Sequence, residues 1–452
     1  MTDATALGLA IKAGGVDPSA LASAVCDAMR DRAGLGAVVT LFDEDAIREA
    51  ITEARAKGGP FAGVPMLAKD LGAPAAGLRQ GVGSEALRTR LPPADRQSEG
   101  HLMRRFRAGG LAPVGLSTVP EFGFALSAEP PGKPVARNPF DTGKTPGGSS
   151  GGAAAAVAGG IVAIAHATDA AGSIRVPASA CGLWGLKPSR GAEAAGPVFA
   201  NHLMGIASEG VLARSLRDVA TAFELTRVTR AEAPLPDGPR VGLAISDRCG
   251  AAEAEAARRV ADLLRAAGCE IVEIEAPDAL GRKVHALIGQ ILSVALATGL
   301  DALGVPDAEI SPLAAANRAR GRGLSGTEVF AMTNRAAELS DATRRALFTG
   351  CDVVLAPILS GPPPPVGHFP TDHTDIDAHL AKMEAMAPGA ALANLAGLPA
   401  LAMPAGMADG LPRGVQLIGP SHSDRALLSL AARIAADLPA IPYPFAIAGM
   451  PA

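Results

Sequence analysis

Two serines, each preceded by glycine, and one lysine upstream of them are the residues of this chain best suited to covalent chemistry. From Lys144 to Pro177 the sequence reads KTPGGSSGGAAAAVAGGIVAIAHATDAAGSIRVP, with Ser149 and Ser173 in its two glycine-containing segments. Glycine has no Cβ, so the chain can take positive φ and bring its N–H groups close to a reacting oxyanion. Lys69 ends the apolar run FAGVPMLAK and is followed by Asp70. A lysine buried beside hydroxyls loses its proton easily and can serve as a base. The set suits a serine hydrolase that uses lysine in place of histidine.

Each residue also has a plainer reading. Lys69 could end a strand in solvent. Ser173 could cap a tight junction after the strand-like run IVAIAHA, with Asp169 and Arg175 pairing to hold the loop shut. His166, inside that apolar run, reads as a core or supporting residue before it reads as a triad base. Gly147-Gly148-Ser149-Ser150-Gly151 fits G-x-S-x-G formally, but that elbow needs a strand running into the serine, and DTGKTP precedes it here. GKT at 143–145 is no phosphate loop, because Asn138 stands where its first glycine belongs and Pro146 follows at once. A flexible linker fits poorly too, since the helix-forming AAAAVA begins directly after the glycines, placing them at a helix N-terminus. His368, His373 and His379 have no common metal-ligand spacing, so no metal or other cofactor is expected.

The chain has 452 residues, 48% of them hydrophobic and 19% charged, enough apolar material for a substantial core. With aromatics at 3%, that core must be mostly alanine and branched aliphatics. A net charge of −4 gives no footprint for nucleic acid. Five dispersed cysteines without C-x-x-C spacing suit reduced thiols and a cytoplasmic location. MTDATALGLAIKAGG lacks the pattern of a signal peptide, and the alanine-rich run at 151–167 is too broken by glycine for a membrane span. The expected partner is a small molecule rather than a nucleic acid or a membrane, with a homodimer as the assembly to test.

Positioning these residues requires a scaffold of alternating strands and helices. The first 60 residues read as helices, one capped by Asp17 with Pro18 just inside, another opening at DED and closing at Arg55 and Lys57. Strand patterns follow at GLAPVGLST, IVAIAHA, 240–245, 270–276, 352–357, LPALAMPAG and GVQLIGP, with helices at about 251–268, 326–348 and 423–437. The alternation predicts an α/β fold: a large mixed sheet covered by helices on both faces. We expect one domain over 1–452, with N-terminal helices in 1–60 and a peripheral, variable helical region at about 278–350.

In combination these segments resemble the amidase signature family. GVPMLAKD is similar to its lysine segment, and GLAPVGLSTVPEFGF to its strand and Glu-Phe turn. RNPFDTGKTPGGSSGGAAAAVA resembles its glycine-serine signature, and TDAAGSIRVPASACGLWGLKPSRG its nucleophile block. NLAGLPALAMPAGMADGLPRGVQLIGP, at 394–420, resembles its closing block. The resemblance spans roughly 40–225 and 350–440, and implies the fold of that family and hydrolysis of an amide C–N bond. It makes Ser173 the nucleophile, Lys69 the ultimate base, and Ser149, held by a cis peptide, the relay between them. By the same resemblance the amides of Ala170, Ala171, Gly172 and Ser173 hold the oxyanion of an acyl-enzyme reaction. Gly147, Gly148, Ser150, Asp169 and Arg175 support the loops, and Glu121, Phe122 and Gly123 contact substrate. The family usually has two glycines before the nucleophile, so Ala171 would be strained if its position needs φ > 0. The segments look more like stand-alone amidases, on linear or cyclic amides, than like the A subunit of a tRNA-dependent amidotransferase. A non-catalytic binding relative of the fold is the other alternative. Pocket walls are expected from 121–126, 196–208 and 278–350.

Overall fold

The computed structural model describes residues 3–198 and 202–450. Its centre is one mixed sheet of eleven strands. In chain order these are β1 (Val38–Leu41), β2 (Val64–Lys69), β3 (Leu111–Ser117), β4 (Ile164–Asp169), β5 (Trp184–Lys187), β6 (Ser208–Ala213), β7 (Arg240–Ala244), β8 (Glu270–Ile274), β9 (Val353–Pro357), β10 (Ala400–Ala408) and β11 (Leu411–Ile418). Their spatial order is β1-β3-β2-β4-β6-β5-β10-β11-β9-β7-β8, so strands from both ends of the chain meet in the middle of the sheet. β2 runs parallel to both β3 and β4, while β4 is antiparallel to β6.

Successive side chains of a strand face opposite sides of a sheet. Every residue of β2, β3 and β4 is buried, so both faces are covered at the strands that carry the lysine and lead to the second serine. Their sequences show why: VPMLAK, LAPVGLS and IAHATD have no consistent polar alternation and suit a doubly covered sheet.

The helices begin and end where local chemistry places them. Asp17 caps Pro18–Asp31 by accepting from the Ser19 and Ala20 amides, and Asp43 caps Glu44–Lys57, which has Glu44 and Asp45 at its start and Arg55 and Lys57 at its end. The first 60 residues are not wholly helical, however. Val38–Leu41 is a strand that pairs antiparallel with β3, as its β-branched run Val38-Val39-Thr40 favours. β5 and β6 were also absent from the sequence reading, being four and six residues long with glycines inside.

The 278–350 region holds the helices Asp278–Ala302, Pro312–Gly323 and Gly326–Phe348. The first is not peripheral. Val284, Leu287, Ile288 and Ile291 pack in a buried cluster with Ala171, Leu392 and Leu395, beside the segment that carries Ser173. By length and composition this helix could cross a membrane, but half of its most apolar stretch is buried inside the protein.

Candidate active site

β2 and β4 are adjacent and parallel, with Met66 opposite Ile164 and Leu67 opposite Ala165, so their C-terminal ends come together. Such strand ends are where open α/β sheets place their ligand sites. Lys69 is the last residue of β2 and is fully buried. Its Nζ lies 2.8 Å from Ser149 Oγ, 2.8 Å from Thr168 Oγ1 and 3.5 Å from the Thr168 carbonyl oxygen. Burial lowers the lysine pKa to about 7, against the opposing pull of Asp169 and Glu209. Asp70 turns away, accepting from the Gly81 and Gly83 amides and pairing with Arg88 at 2.7 Å. A second buried lysine, Lys187, donates to Pro188 O at 2.6 Å and reaches neither serine of the site.

Ser149 follows a cis peptide, Gly148–Ser149, and stands two residues before the helix Gly151–Ala158. A Cβ at Gly148 would lie 2.1 Å from Ser127 O, so only glycine lets this segment pack against the neighbouring backbone. The Gly147 amide donates to Thr145 Oγ1. Ser150 Oγ bridges the Thr168 backbone, accepting from its N–H and donating to its carbonyl, at 3.3 Å each. The glycine-serine segment is thereby tied to the end of β4.

Beyond β4, residues 170–174 form the loop that carries Ser173. Asp169 holds it from inside, accepting from the Gly172 amide at 2.7 Å and the Ile174 amide at 3.1 Å. Arg175 pairs with Asp169 at 3.0 Å, and its other donors reach Gln416 Oε1, Asn394 Oδ1 and Ala390 O at 2.7–2.8 Å. Asn394 Nδ2 donates to Asp169 O and Oδ1. Burial raises the Asp169 pKa, but Arg175 and Asn394 outweigh it and keep the carboxylate ionised well below its usual range.

Two expectations change here. The Gly172 N–H serves Asp169 and is not free for an oxyanion, whereas the Ala170, Ala171 and Ser173 amides have no acceptor among the described residues. Ala171 is not among the non-glycine residues with positive φ. Gly172 carries the left-handed turn at φ 115°, so alanine at 171 is unstrained.

Ser149, Thr168 and Ser173 open into a cavity of about 200 Å³. Phe122 and Gly123 line it as anticipated, and so do Leu203, Ala207 and one face of Asp278–Ala302. Residues 199–201 of the anticipated 196–208 wall lie outside the described residues. Glu121 does not line the cavity. It is buried, and its carboxylate accepts from the Ser311 amide at the start of Pro312–Gly323. A buried acid near a helix N-terminus is satisfied there rather than by a ligand.

His166 Nδ1 accepts from the Lys69 backbone N–H at 3.2 Å, and its Nε2 contacts Glu209 at 2.9 Å. Its ring therefore supports the lysine's strand and contacts neither serine. His379 Nε2 donates to Phe124 O, and His373 Nδ1 accepts from the Asp375 amide. The sequence reading did not single out Thr168, Glu209, Asn394 or Gln416. Their signal was present, since each is a polar residue in a strongly apolar segment and must find a buried partner.

A family model described as Amidase matches residues 20–428. The 6-aminohexanoate-cyclic-dimer hydrolase of Paenarthrobacter ureafaciens is 30% identical over 480 residues, covering 97% of this chain and 95% of that one. A solved 6-aminohexanoate cyclic dimer hydrolase, complexed with substrate, superposes with a TM-score of 0.87 at 27% identity, over 96% of this chain and 97% of the other. A bacterial aryl acylamidase shares the fold, with a TM-score of 0.82 at 24% identity over 96% of each chain.

Proposed function

The chain belongs to the amidase family, which makes it an amidohydrolase, and on that premise we propose that it cleaves its amide through Ser173, Ser149 and Lys69. The observation carrying this is the 2.8 Å contact between Lys69 Nζ and Ser149 Oγ, made by a buried lysine whose pKa lies near neutrality. A neutral amine has two hydrogens and one lone pair. Thr168 Oγ1 and Thr168 O accept the hydrogens, which leaves the lone pair for the Ser149 hydroxyl.

Ser149 gives its proton to Lys69 and takes one from Ser173, whose oxygen attacks the amide carbonyl. The oxyanion is held by the amides of Ala170, Ala171 and Ser173, already set by the Asp169–Arg175 pair. Collapse breaks the C–N bond, and the proton returns through Ser149 to the departing amine. Water then attacks the acyl-Ser173 ester, delivers its proton along the same relay, and releases the carboxylic acid.

The non-catalytic alternative rested on strain at Ala171, which its φ does not support. A cytoplasmic location and action on a free small molecule belong to the same proposal, in keeping with five unpaired cysteines. Light scattering of the purified chain tests a homodimer. A fluorophosphonate probe tests the chemistry: the adduct is expected on Ser173 and lost in Ser173→Ala. Labelling that persists unchanged in that variant overturns the assignment. Cyclic and linear amides assayed side by side, with amine release as readout, show whether this chain shares the cyclic preference in its relative's name.

A further inference from the structure

The cavity at Ser149 and Ser173 is closed on one side by a single face of the long helix Asp278–Ala302. Leu292, Leu296 and Leu300 lie on that face, and Leu303 continues it just past the helix end. Their spacing of three and four residues forms one apolar stripe. Within the stripe the helix carries two small residues four apart, Ala295 and Gly299, both lining the cavity. A Cβ built at Gly299 would meet nothing within 4 Å, so the helix surface recedes there and leaves open space.

The rest of the lining is equally apolar, with Leu71, Val82, Phe122, Phe124 and Met383. Among the described residues lining the cavity, the only side-chain oxygen or nitrogen atoms are the hydroxyls of Ser149, Thr168 and Ser173. None of these described lining residues is charged. An ammonium or carboxylate carried inside would lose its water and find no counter-ion, which is strongly unfavourable. A cavity of about 200 Å³ exceeds the ~150 Å³ of apolar space that holds a benzene ring in another protein, and so has room for a phenyl or hexyl group.

We propose that the substrate is a neutral amide whose apolar body lies along the long helix, with Ala295 and Gly299 setting how bulky that body can be. This rests on the Ser173 reading of the site. It sets aside substrates that carry charge on that body, such as amino acid amides in their ammonium form or glutamyl groups.

Matched 4-nitroanilides and N-alkyl acetamides test the proposal, each series comparing a neutral six-carbon chain with the same chain ending in an amine or a carboxylate. At one end of the substrate or both, the neutral member is expected to exceed its charged analogues by at least about a hundredfold in kcat/KM. In the wild-type chain the hexanoyl anilide should also outpace the acetyl anilide. Gly299→Leu and Ala295→Leu should each reduce that hexanoyl-to-acetyl ratio by about tenfold or more. Both substitutions introduce a good helix former, so folding is retained, as circular dichroism will show.

Equal turnover of charged and neutral members at both ends overturns the proposal, and so does a hexanoyl-to-acetyl ratio unchanged in both variants. Mapping the fluorophosphonate adduct in the same preparations separates the two levels of argument. An adduct on Ser173 without the neutral preference overturns the substrate class alone. The neutral preference with an adduct elsewhere supports the substrate class and overturns the mechanism.

Discussion

The cradle around Lys69 and the wall along Asp278–Ala302 meet at one cavity and are built on opposite principles. In the cradle, position is fixed by directed bonds: Lys69 to Ser149 and Thr168, Ser150 to the Thr168 backbone, Asp169 to three donors of its own loop and to Arg175. Along the wall it is fixed by volume, through leucines that touch one another and the space between them. A directed bond is lost entirely when its atom is removed, whereas an apolar wall gives way by degrees. Chemistry should therefore fail sharply under substitution in the cradle, and selectivity should drift under substitution in the wall.

The largest effect expected is at the proposed nucleophile, Ser173. Ser173→Ala should lower kcat/KM by roughly 10⁴-fold or more, with the far-UV spectrum unchanged. Lys69→Ala should lose at least as much as Ser149→Ala, because the relay is useless without its terminal base. A wall variant such as Leu296→Ala that cost as much on every substrate would break the contrast.

Next in size is the clamp beneath the loop. Arg175→Met leaves Asp169 buried without its cation, and a broken buried pair costs about 3–5 kcal/mol. Urea unfolding measures the loss. Arg175→Met combined with Asp169→Asn should recover part of it, since no buried charge then stands alone.

A smaller but sharper test is the pH profile. Only neutral Lys69 can accept the Ser149 proton, and the neutral fraction grows as pH rises through its pKa. Activity should therefore rise with pH through about 7 and level off above it. A normal lysine, with a pKa of about 10.4, would keep the limb climbing far into alkaline conditions. Glu209 holds the Lys69 pKa up, so Glu209→Gln should move the limb to lower pH.

The smallest effect is expected at His166. It accepts only a backbone N–H from Lys69, so His166→Gln should keep most of the activity. If His166→Gln abolished turnover while Lys69→Ala preserved it, the lysine mechanism would be wrong.

Legibility in the sequence follows the same divide. Lys69, Ser149 and Ser173 stood out because directed chemistry demands particular residue types at particular spacings, and apolar runs lead to Lys69 and toward Ser173. Glu121 was misjudged because a sequence does not reveal whether a buried acid faces a ligand or a helix terminus. The Gly172 amide was misjudged because the direction of one N–H depends on a carboxylate three residues earlier. The wall was foreseen only as a region, 278–350, since leucine, alanine and glycine at helical spacing look alike in a core and around a cavity. Short strands such as Val38–Leu41 and Trp184–Lys187 escaped because pairing with distant partners, rather than local pattern, makes them strands.

The clamp on the Ser173 loop also bears on how the site is assembled. Lys69, Ser149 and Ser173 all precede Arg175 in the chain, but three of the groups that hold Arg175, namely Ala390, Asn394 and Gln416, follow it by 215 to 241 residues. A nascent or clipped chain that stops short of Ala390 holds Lys69, Ser149, Ser173 and the Asp169–Arg175 pair, yet lacks the three further partners of Arg175. The order of synthesis thus sets an order of assembly: the Ser173 loop gains its full set of bonds only after residues 390–416 have folded against it.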